Sequence, residues 1–494
     1  MKLHRVMIAA AKSGSGKTTV TCALLQLLKN MGHHVVSYKC GPDYIDPMFH
    51  QKAIDIPSKN LDTFFTGEEE TRKLFLMDRG EDDFAVLEGV MGLFDGLGGI
   101  REEGSSYHLA KVTKTPILLV VDAKGMGRSV IPLIAGFLNY DKEHLIKGVI
   151  LNRMSKSYYE ILKPLIEEEL SITVLGYFPE QKQFRIESRH LGLMLPQELV
   201  DVKKHLQEIS GELQKTVSVE HILKIAGEAS ELEACGLKGS ELENSVSKNS
   251  ASENSVSENS VSKNSVSENS ASGNSNLCDS NKAAIIAVAR DEAFCFYYED
   301  NLRLLQEYGA KLKFFSPIHD EGLPEGSCGI LLGGGYPELH GEALSSNRNM
   351  LSSIKEAMES GIPVVAECGG FMYLHNKIID KENQSYPMVG AINAECHYTG
   401  KLVRFGYIEL QEKDANFLPE GEMIRGHEFH YFDSQQNGEN GIATKPVTGR
   451  NYPCVISKEN CWLGFPHLYY PSNPAFAERF VERAMNYKLK TIRR

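Results

Sequence analysis

The sequence predicts two α/β domains, each built on a doubly wound parallel sheet, with a disordered linker between them. Three observations favour this fold class: apolar runs alternate with helical runs in the first half, a low-complexity repeat follows, and the alternation then resumes. The predicted boundaries are 1–200 for the first domain, 201–238 for helices that close it, 239–280 for the linker and 281–494 for the second domain.

Six runs of the first domain have the near-continuous apolar character of strands buried on both faces of a sheet. They read RVMIAAA, HVVSYK, FAVLEGV, PILLVVDA, KGVILNRM and ITVLGYFP. Runs with helical spacing lie between them, including TTVTCALLQLLKNMG and YEILKPLIEEEL, and SVEHILKIAGEA predicts a last helix. This alternation is typical of a parallel sheet with helices on both faces.

The linker is predicted from composition alone. From Glu243 the chain repeats a pentad of the ENSVS type about six times. A segment with so few bulky apolar residues cannot bury enough surface to offset its ordering entropy, so we expect it to be disordered. A stacked repeat array is the alternative, and the small Val and Ala side chains disfavour it.

Four apolar runs after the linker predict the second sheet: KAAIIAVARD, AKLKFFSP, CGILLGGG and IPVVAECGG. A helix is expected over FMYLHNKI, directly after the last of them, and the tail that follows is richer in β-type residues.

Charge and composition exclude several classes of protein. The 494 residues carry 53 Lys+Arg and 65 Asp+Glu, a formal net charge of −12, which disfavours binding to nucleic acid or to an anionic membrane. Ten scattered cysteines without a CxxC pair are typical of reduced thiols. No apolar run reaches the ~18 residues of a membrane span, and MKLHRVMIAA is interpreted as a first strand rather than a signal peptide. We therefore expect a cytoplasmic protein.

A phosphate-binding loop follows the first strand. Residues 11–18, AKSGSGKT, fit the pattern with Ala11 in place of its first glycine. The glycines would let backbone N–H groups surround phosphate oxygens, Lys17 would contact the β- and γ-phosphates, and the hydroxyl of Thr18 would bind Mg²⁺. The residues expected to bind ATP are Gly14, Ser15, Gly16, Lys17, Thr18 and Thr19. Lys12 gives the deviant form of the loop, in which it would reach a partner's nucleotide, but an exposed surface lysine is the preferred interpretation.

Acidic residues follow two of the neighbouring strands. Asp43 and Asp46 lie in CGPDYIDP, where they would bind Mg²⁺ or orient a nucleophile, although a turn with two solvated carboxylates fits equally well. Glu88 ends FAVLE and suits a second Mg²⁺ contact beside the phosphate loop. Asp122 and the pair Asn152 and Arg153 also end strands, where helix capping competes with contact to the nucleotide.

A candidate nucleophile ends the last apolar run of the second sheet. Cys368 lies at a strand-to-helix turn and is followed by two glycines. We expect an exposed thiol whose pKa is lowered by the helix dipole, with the N–H groups of Gly335 and Gly369 as an oxyanion hole. A thiol nucleophile needs a base, and spacing does not choose among the downstream histidines, which are His397, His427, His430 and His467.

With both loops in view, the chain resembles the cobyrinic acid a,c-diamide synthases, enzymes of the corrin pathway to vitamin B12. The resemblance rests on SGSGKTTVT, KCGPDYIDPMFH, LEGVMGLFDG, RHLGL at Arg189–Leu193, GGGYPELH, AECGGFMYL and RGHEFHY. It implies a dethiobiotin-synthetase-like ATP domain followed by a class I glutamine amidotransferase domain.

The resemblance also implies roles for particular residues. Cys368 would be the glutaminase nucleophile and His467 the histidine that activates it. Asp43, Asp46 and Glu88 would serve the synthetase site. The Mg²⁺ ligands predicted from the loop and the strand ends are Thr18, Asp46 and Glu88. Tyr44 and Ile45 would lie near the substrate.

One position departs from the class I pattern. Many members carry a glutamate two residues after the catalytic histidine, and this chain has Tyr469 there. The cobyrinic acid branch is similar in lacking that glutamate, so the triad would be a dyad and the group that orients the imidazole is left open.

The implied reaction is amidation of the a and c carboxylates of cobyrinic acid through acyl phosphates, with ATP and glutamine as co-substrates. The same chemistry on a sibling tetrapyrrole, nickel-sirohydrochlorin or hydrogenobyrinic acid, is the nearest alternative. Cobyric acid synthase is disfavoured by the GPDYIDP and EGVMGLFDG loops. A partitioning-type ATPase switch would explain Lys12 but not Cys368. A homodimer would follow if Lys12 acted across subunits.

Overall fold

The structure is a computed structural model that describes residues 3–77, 80, 82–180, 196–232 and 283–492. The predicted linker at 239–280 and the RHLGL stretch at Arg189–Leu193 lie outside the described residues.

The first domain contains a sheet of seven parallel strands, in the order β3-β2-β4-β1-β5-β6-β7. The strands are β1 His4–Ala10, β2 His34–Cys40, β3 Ser58–Leu61, β4 Asp83–Glu88, β5 Ile117–Asp122, β6 Ile146–Asn152 and β7 Thr173–Phe178. Six of them confirm the six predicted strands, and only the short, polar β3 escaped prediction. The sheet order reverses beside β1, so the phosphate loop after β1 lies at the edge where such sheets bind ligands.

Helices cover both faces of this sheet, as the apolar strands predict. They are α1 Lys17–Asn30, α2 Ile45–Phe49, α3 Thr63–Leu76, α4 Ser106–Val112, α5 Val130–Tyr140, α6 Lys156–Leu170, α7 Pro196–Thr216 and α8 Val219–Gly227. The last two pack on the α1 side of the sheet, where α7 adds Leu206, Ile209 and Leu213 to the core.

The second domain is built on a six-stranded sheet in the order β10-β8-β11-β13-β23-β22, parallel except for the edge strand β22. Its strands are β8 Ala284–Ala289, β10 Ala310–Phe315, β11 Ser327–Leu332, β13 Val364–Glu367, β22 Ile456–Lys458 and β23 Cys461–Gly464. The helices of this domain are α9 Glu299–Glu307, α10 Gly341–Ser346, α11 Arg348–Glu359, α12 Gly369–Tyr373 and α13 Ala475–Ile492. A second α/β domain is thus confirmed.

The β-rich tail forms smaller sheets beside it. Five antiparallel strands have the order β21-β20-β17-β18-β24, four have the order β15-β14-β16-β19, and β12 pairs with β9. These strands are β9 Phe294–Phe296, β12 Gly334–Gly335, β14 His375–Ile379, β15 Ser385–Pro387, β16 Ile392–Tyr398, β17 Arg404–Glu412, β18 Met423–His430, β19 Phe432–Ser434, β20 Gly441–Thr444, β21 Asn451–Cys454 and β24 His467–Leu468. The helix expected over FMYLHNKI is wrong beyond Tyr373, because β14 begins at His375 and pairs with β15 and β16.

The two domains meet through an aromatic and polar interface. The ring of Phe65 in the first domain stacks on Tyr469 of the second, with centroids 5.0 Å apart. The hydroxyl of Tyr407 donates to Asp62 Oδ2 at 2.5 Å, and Arg425 donates to the carbonyl of Phe64 at 2.6 Å. These contacts bring the carboxyl edge of the first sheet against the second domain.

Two further findings concern the described residues. The eight cysteines among them are all free thiols. No helix in this part of the chain has the length and apolar character that a membrane crossing requires.

Candidate active sites

The phosphate loop has the geometry that its sequence predicts. Gly14 and Gly16 adopt φ values of +74° and +92°, which side-chain-bearing residues rarely adopt. Asn152 closes the loop from β6, because its side-chain amide donates to the carbonyl of Ser15 at 2.7 Å. Lys17 begins α1 and donates to the carbonyl of Met91, in the loop after β4. The loop and the Glu88 loop therefore face each other.

A buried cluster of charged side chains lies beside this loop. The ammonium of Lys39, on β2, lies 2.5 Å from Asp46 Oδ2, 3.0 Å from Glu88 Oε1 and 4.0 Å from Asp43 Oδ2. The hydroxyl of Thr18 donates to the same Glu88 oxygen at 2.7 Å. The structure thus brings together the three predicted carboxylates. It adds Lys39, which sequence reasoning missed because lysine at a strand end is usually exposed.

Burial and the charge of Lys39 shift the pKa values of the three carboxylates in different directions. Burial raises the pKa of Glu88 to about 7, although Lys39 opposes that shift. Burial also raises the pKa of Asp43 to about 6, helped by the neighbouring Asp46. Desolvation alone would raise the pKa of Asp46, but the charge of Lys39 outweighs it and the pKa is lowered. Asp46 and Lys39 therefore form the charged pair near neutral pH.

The side-chain oxygen atoms of this cluster differ in how well they are placed to bind Mg²⁺. Thr18 Oγ1 and Glu88 are in contact beside the phosphate loop, and the buried Glu88 Oε2 makes no hydrogen bond, although His50 Nε2 lies 3.5 Å from it. Hard oxygen ligands of this kind suit Mg²⁺. Asp46 instead contacts Lys39, and among the described residues no group of three His, Cys, Asp or Glu side chains is arranged to hold a metal ion. Thr18 and Glu88 fit the ion better than Asp46 does.

The second site is centred on Cys368, between β13 and α12. Its φ of +46° and ψ of −103° lie outside the helical and strand regions, as a nucleophile elbow requires. The side chain lines the cavity between the domains although the residue is only 7% exposed. The sharp strand-to-helix turn predicted from AECGG is present, but the expectation of an exposed thiol is wrong, because Cys368 is buried between the two domains.

The expected low pKa of this thiol is wrong. Burial is the main cause that raises the pKa of Cys368, and the carboxylate of Glu338 adds to it. The N–H of Gly369 opposes the shift, but α12 is only five residues long. The thiol is therefore protonated when the site is without substrate.

His467 lines the same cavity as Cys368 and lies beside a carboxyl group. Its Nδ1 lies 3.9 Å from Glu367 Oε2, and burial lowers the pKa of the imidazole to about 3. Burial raises the pKa of Glu367 to about 8, so the pair is uncharged at neutral pH. Glu367 directly precedes Cys368 and was not singled out from the sequence. No pattern marked it, because its proximity to His467 results from the pairing of β13 with β23.

Tyr469 does not take the place of the missing class I glutamate. Its hydroxyl donates to Asp300 Oδ2 at 2.8 Å, and its ring stacks on Phe65 of the first domain. Tyr469 is thus part of the domain interface.

The other histidines have different surroundings. His427 stacks on His467 with centroids 4.9 Å apart and contacts the hydroxyl of Tyr298 at 3.2 Å. His430 stacks on Phe465 and bonds to the carbonyl of Phe432, whereas His397 is exposed on β16. His467 is the one of these four histidines that lies within 4 Å of Glu367, and His427 stacks beside it.

The predicted oxyanion donors lie at the elbow. A Cβ added to Gly369 would come within 3.0 Å of Gly335 N, so the two backbones are in close approach. Gly335 has no space for a side chain either, since a Cβ would lie 2.0 Å from the carbonyl oxygen of Ala293. The structure brings both glycines next to Cys368.

Tyr44 connects the two sites. It follows Asp43 in the loop after β2, yet its ring stacks on Phe296 at 5.0 Å and lies 5.3 Å from the imidazole of His467. Ile45 begins α2, next to the charged cluster, and both residues line the cavity between the domains.

That cavity has a volume of about 1450 Å³. Asp43 of the first site and Cys368 and His467 of the second open into it. One chamber thus serves residues from both domains.

Asp122, Arg153 and Lys12 form a separate group. The guanidinium of Arg153 donates to Asp122 Oδ1 at 2.8 Å, and Lys12 lies 3.9 Å from Asp122 Oδ2 with most of its side chain exposed. The surface interpretation of Lys12 agrees with this exposure.

Comparisons with known proteins agree with the two-domain organisation. A family profile described as a CobQ/CobB/MinD/ParA nucleotide binding domain matches residues 6–193, and one described as a CobB/CobQ-like glutamine amidotransferase domain matches residues 285–472.

Full-length relatives are also found. The chain is 38% identical to a cobyrinate a,c-diamide synthase of Caldanaerobacter subterraneus subsp. tengcongensis, over 98% of this chain and 99% of the relative. It is 34% identical to one of Dehalococcoides mccartyi, over 97% and 98%, and 36% identical to one of Thermoplasma volcanium, over 99% of each.

Proposed function

The chain belongs to the cobyrinate a,c-diamide synthase family, a family of glutamine amidotransferase ligases, and from that membership we propose that it amidates the a and c carboxylates of cobyrinic acid. The nitrogen comes from glutamine, and ATP activates each carboxylate as an acyl phosphate. The observation that best supports this proposal is the position of Tyr44, whose loop carries Asp43 and Asp46 while its ring lies 5.3 Å from His467. A partitioning switch would have no use for a thiol elbow in that position.

The first half-reaction takes place at the phosphate loop. A carboxylate oxygen of the substrate attacks the γ-phosphorus of ATP, the bond to the β-phosphate oxygen breaks, and ADP leaves. Lys17 and the backbone N–H groups of residues 14–19 stabilise the charge on the phosphates. Thr18 and Glu88 would hold Mg²⁺, which neutralises phosphate charge when bound, while Asp46, the third predicted ligand, is paired with Lys39.

The second half-reaction takes place at the elbow. The sulfur of Cys368 attacks the amide carbon of glutamine while its proton passes to His467, and the N–H groups of Gly335 and Gly369 stabilise the oxyanion. The amine takes the proton from His467 and leaves as ammonia, and water then hydrolyses the thioester to glutamate. Because the thiol is protonated at rest, this proton transfer accompanies the attack.

Glu367 is the group that orients the imidazole. Its carboxyl faces Nδ1, which has no hydrogen-bond partner among the described residues, so Nε2 remains for proton transfer with the thiol. A carboxyl that is neutral at rest can ionise when the imidazolium forms, and it then stabilises that charge.

Ammonia must reach the acyl phosphate without becoming protonated. The ring of Tyr44 lies 5.3 Å from the imidazole of His467, 5.0 Å from the ring of Phe296 and 4.5 Å from that of Tyr298, so aromatic side chains cluster between the imidazole and the loop of Asp43. An aromatic lining of this kind excludes water. Ammonia then attacks the acyl carbon and phosphate leaves, which gives the carboxamide.

The test uses the purified chain and a Cys368→Ala variant with ATP and cobyrinic acid. Wild type should convert two carboxylates to carboxamides with glutamine as donor, measured by mass spectrometry, and release glutamate. The variant should lose glutamine-dependent amidation but retain amidation with ammonium chloride at high pH. A variant that fails with both donors, although ATP still binds, would contradict the two-site scheme.

A further inference from the structure

Exposed aromatic side chains form a contiguous patch on the second domain. Phe405 on β17 is paired in register with Phe429 on β18, and they are 62% and 50% exposed. Tyr431, which follows β18, is 41% exposed. Ring centroids lie 5.7 Å apart for Phe405 and Phe429, and 5.8 Å apart for Phe429 and Tyr431. We call these three residues the aromatic wall.

The aromatic wall lines the 1450 Å³ cavity between the domains. Large contiguous apolar surfaces that remain open on a folded protein usually mark binding sites. Neither ATP nor glutamine needs such a surface, since both are polar ligands with their own candidate sites. The cavity is also larger than the roughly 300 to 1,000 Å³ typical of small-ligand pockets. A third, larger and flatter ligand is needed to explain the wall.

Basic residues adjoin the wall in the same cavity. Arg404 directly precedes Phe405, and its guanidinium lies over the ring of Tyr452 at 3.9 Å. Lys445 donates to the carbonyl of Phe405 at 2.8 Å, and the exposed Arg450 also lines the cavity.

Acidic residues near the wall do not cancel this charge. The fully buried Glu428 is shared by Arg404 at 3.7 Å and Lys445 at 3.6 Å, which leaves one acid between two cations. Asp380 and Glu382 also line the cavity, together with Lys381. The surface next to the wall therefore combines flat apolar contact with cations.

The opposite side of the cavity belongs to the first domain. It is formed by Pro42 to Ile45 and by the loop from Val90 to Gly99, so it includes Asp43 and Asp95. A ligand that lies on the aromatic wall would thus present its edge to the loop that carries the candidate synthetase residues.

We propose that the aromatic wall, with Arg404 and Arg450, binds the face and the non-reacting carboxylates of the tetrapyrrole substrate. The inference rests on the proposed function and assigns substrate recognition to the amidotransferase domain. A corrinoid acid has a broad apolar face and a periphery of carboxylates, which matches a platform of aromatic rings bordered by guanidinium groups. The wall holds the macrocycle while successive carboxylates are presented to Asp43 and the phosphate loop.

The test compares the double variant Phe405→Ala/Phe429→Ala with Phe314→Ala. Phe314 is a matched control, since it is an exposed phenylalanine of the same domain, 48% exposed on β10, that does not line the cavity. Cobyrinic acid is titrated into each protein without ATP or glutamine, and binding is followed by the corrin absorbance. The double variant should bind at least about tenfold more weakly, because two ring contacts are lost, and the control should bind like wild type.

Kinetics add a second readout. In the double variant KM for cobyrinic acid should rise by a similar factor while KM for glutamine is unchanged, and Arg450→Gln should raise KM for cobyrinic acid several-fold. Melting temperatures of the variants establish that they fold.

The outcomes separate this inference from the proposed function. If the folded double variant bound cobyrinic acid with wild-type affinity, the aromatic wall would not be the substrate-binding surface. The proposed function would be unaffected by that result. Absence of binding and amidation by wild type would overturn the proposed function itself. Sedimentation tests a third outcome, in which wild type is a dimer and the double variant is a monomer with unchanged affinity for cobyrinic acid. The aromatic wall would then be an interface between copies of the chain, and the proposal would be wrong.

Discussion

Glu367 and Tyr469 are expected to contribute differently to glutamine hydrolysis. Glu367 faces His467 Nδ1 at 3.9 Å, whereas the hydroxyl of Tyr469 is bound to Asp300. Glu367→Gln should lower kcat for glutamine hydrolysis by about ten- to a hundredfold and leave KM for glutamine unchanged, because an amide cannot stabilise the imidazolium. Glutaminase assays give both constants.

The matched control is Tyr469→Phe, which removes one hydroxyl and keeps the ring that stacks on Phe65. It should leave kcat for glutamine hydrolysis within about a factor of three of wild type. Equal losses in the two variants would contradict the role given to Glu367.

Because the thiol of Cys368 is protonated, the rate of its reaction with iodoacetamide should depend on pH. Burial and Glu338 raise the pKa of Cys368, so only a small fraction is thiolate near neutral pH. Without glutamine, the inactivation rate should rise about tenfold per pH unit from pH 7 to pH 9 with no plateau, since the thiolate fraction grows tenfold per unit below the pKa. A plateau below pH 8 would show that the thiol has a low pKa after all.

The roles of residues could be predicted from the sequence where those residues lie in a rare, contiguous motif. The loop around Lys17 and the elbow at Cys368 are contiguous in sequence, and their backbone angles are a local property. Lys39 and Glu367 were not predictable, because each acts through a neighbour that the sheet brings close. Lys39 reaches Glu88 from β2 through the pairing of β2 with β4.

At the scale of elements, the turn from β1 into α1 depends on glycine. A Cβ at Gly16 would lie 2.1 Å from Asn152 Nδ2, where φ is already +92°. Gly16→Ala should therefore displace Asn152 from the carbonyl of Ser15 and lower ATP-dependent amidation by about a hundredfold, because a shift of about 1 Å in a positioning group can cost that much. ATP binding and amidation rates are the measurements.

Gly32 is a control because it has a similar positive φ to Gly16 but has space for a side chain. Its φ is +84°, but nothing lies within 4 Å of an added Cβ. Gly32→Ala should cost about 1–2 kcal/mol of stability and retain ATP binding. If both variants lost ATP binding equally, the contact with Asn152 would not explain the effect.

Elements were predictable where strands are continuously apolar. The strands that the sequence indicates in both parallel sheets are present, whereas β3, with the sequence SKNL, is too polar to be recognised. The FMYLHNKI run has apolar residues at helical spacing, yet it leaves the helix at Leu374 because tertiary pairing with β16 competes with local preference. In that segment local periodicity was a weaker signal than the sheet.

At the scale of the whole molecule, the alternation of strands and helices predicts two parallel-sheet domains and their order. It does not predict the cavity between them, which joins residues far apart in the chain. Asp62 and Tyr407, for example, are 345 positions apart and share a hydrogen bond across the interface. The placement of Tyr44 beside His467 arises only from this docking of domains, whereas the aromatic wall arises from the pairing of β17 with β18.

The two-site reaction requires that nitrogen pass from Cys368 to the phosphate-loop site inside the protein. The most direct measurement is amidation of cobyrinic acid with amide-¹⁵N-labelled glutamine in an excess of unlabelled ammonium at neutral pH, with the isotope read in the product by mass spectrometry. We predict that the new carboxamides carry ¹⁵N almost entirely. Dilution of the label in proportion to the ammonium in solution would contradict a shared internal chamber.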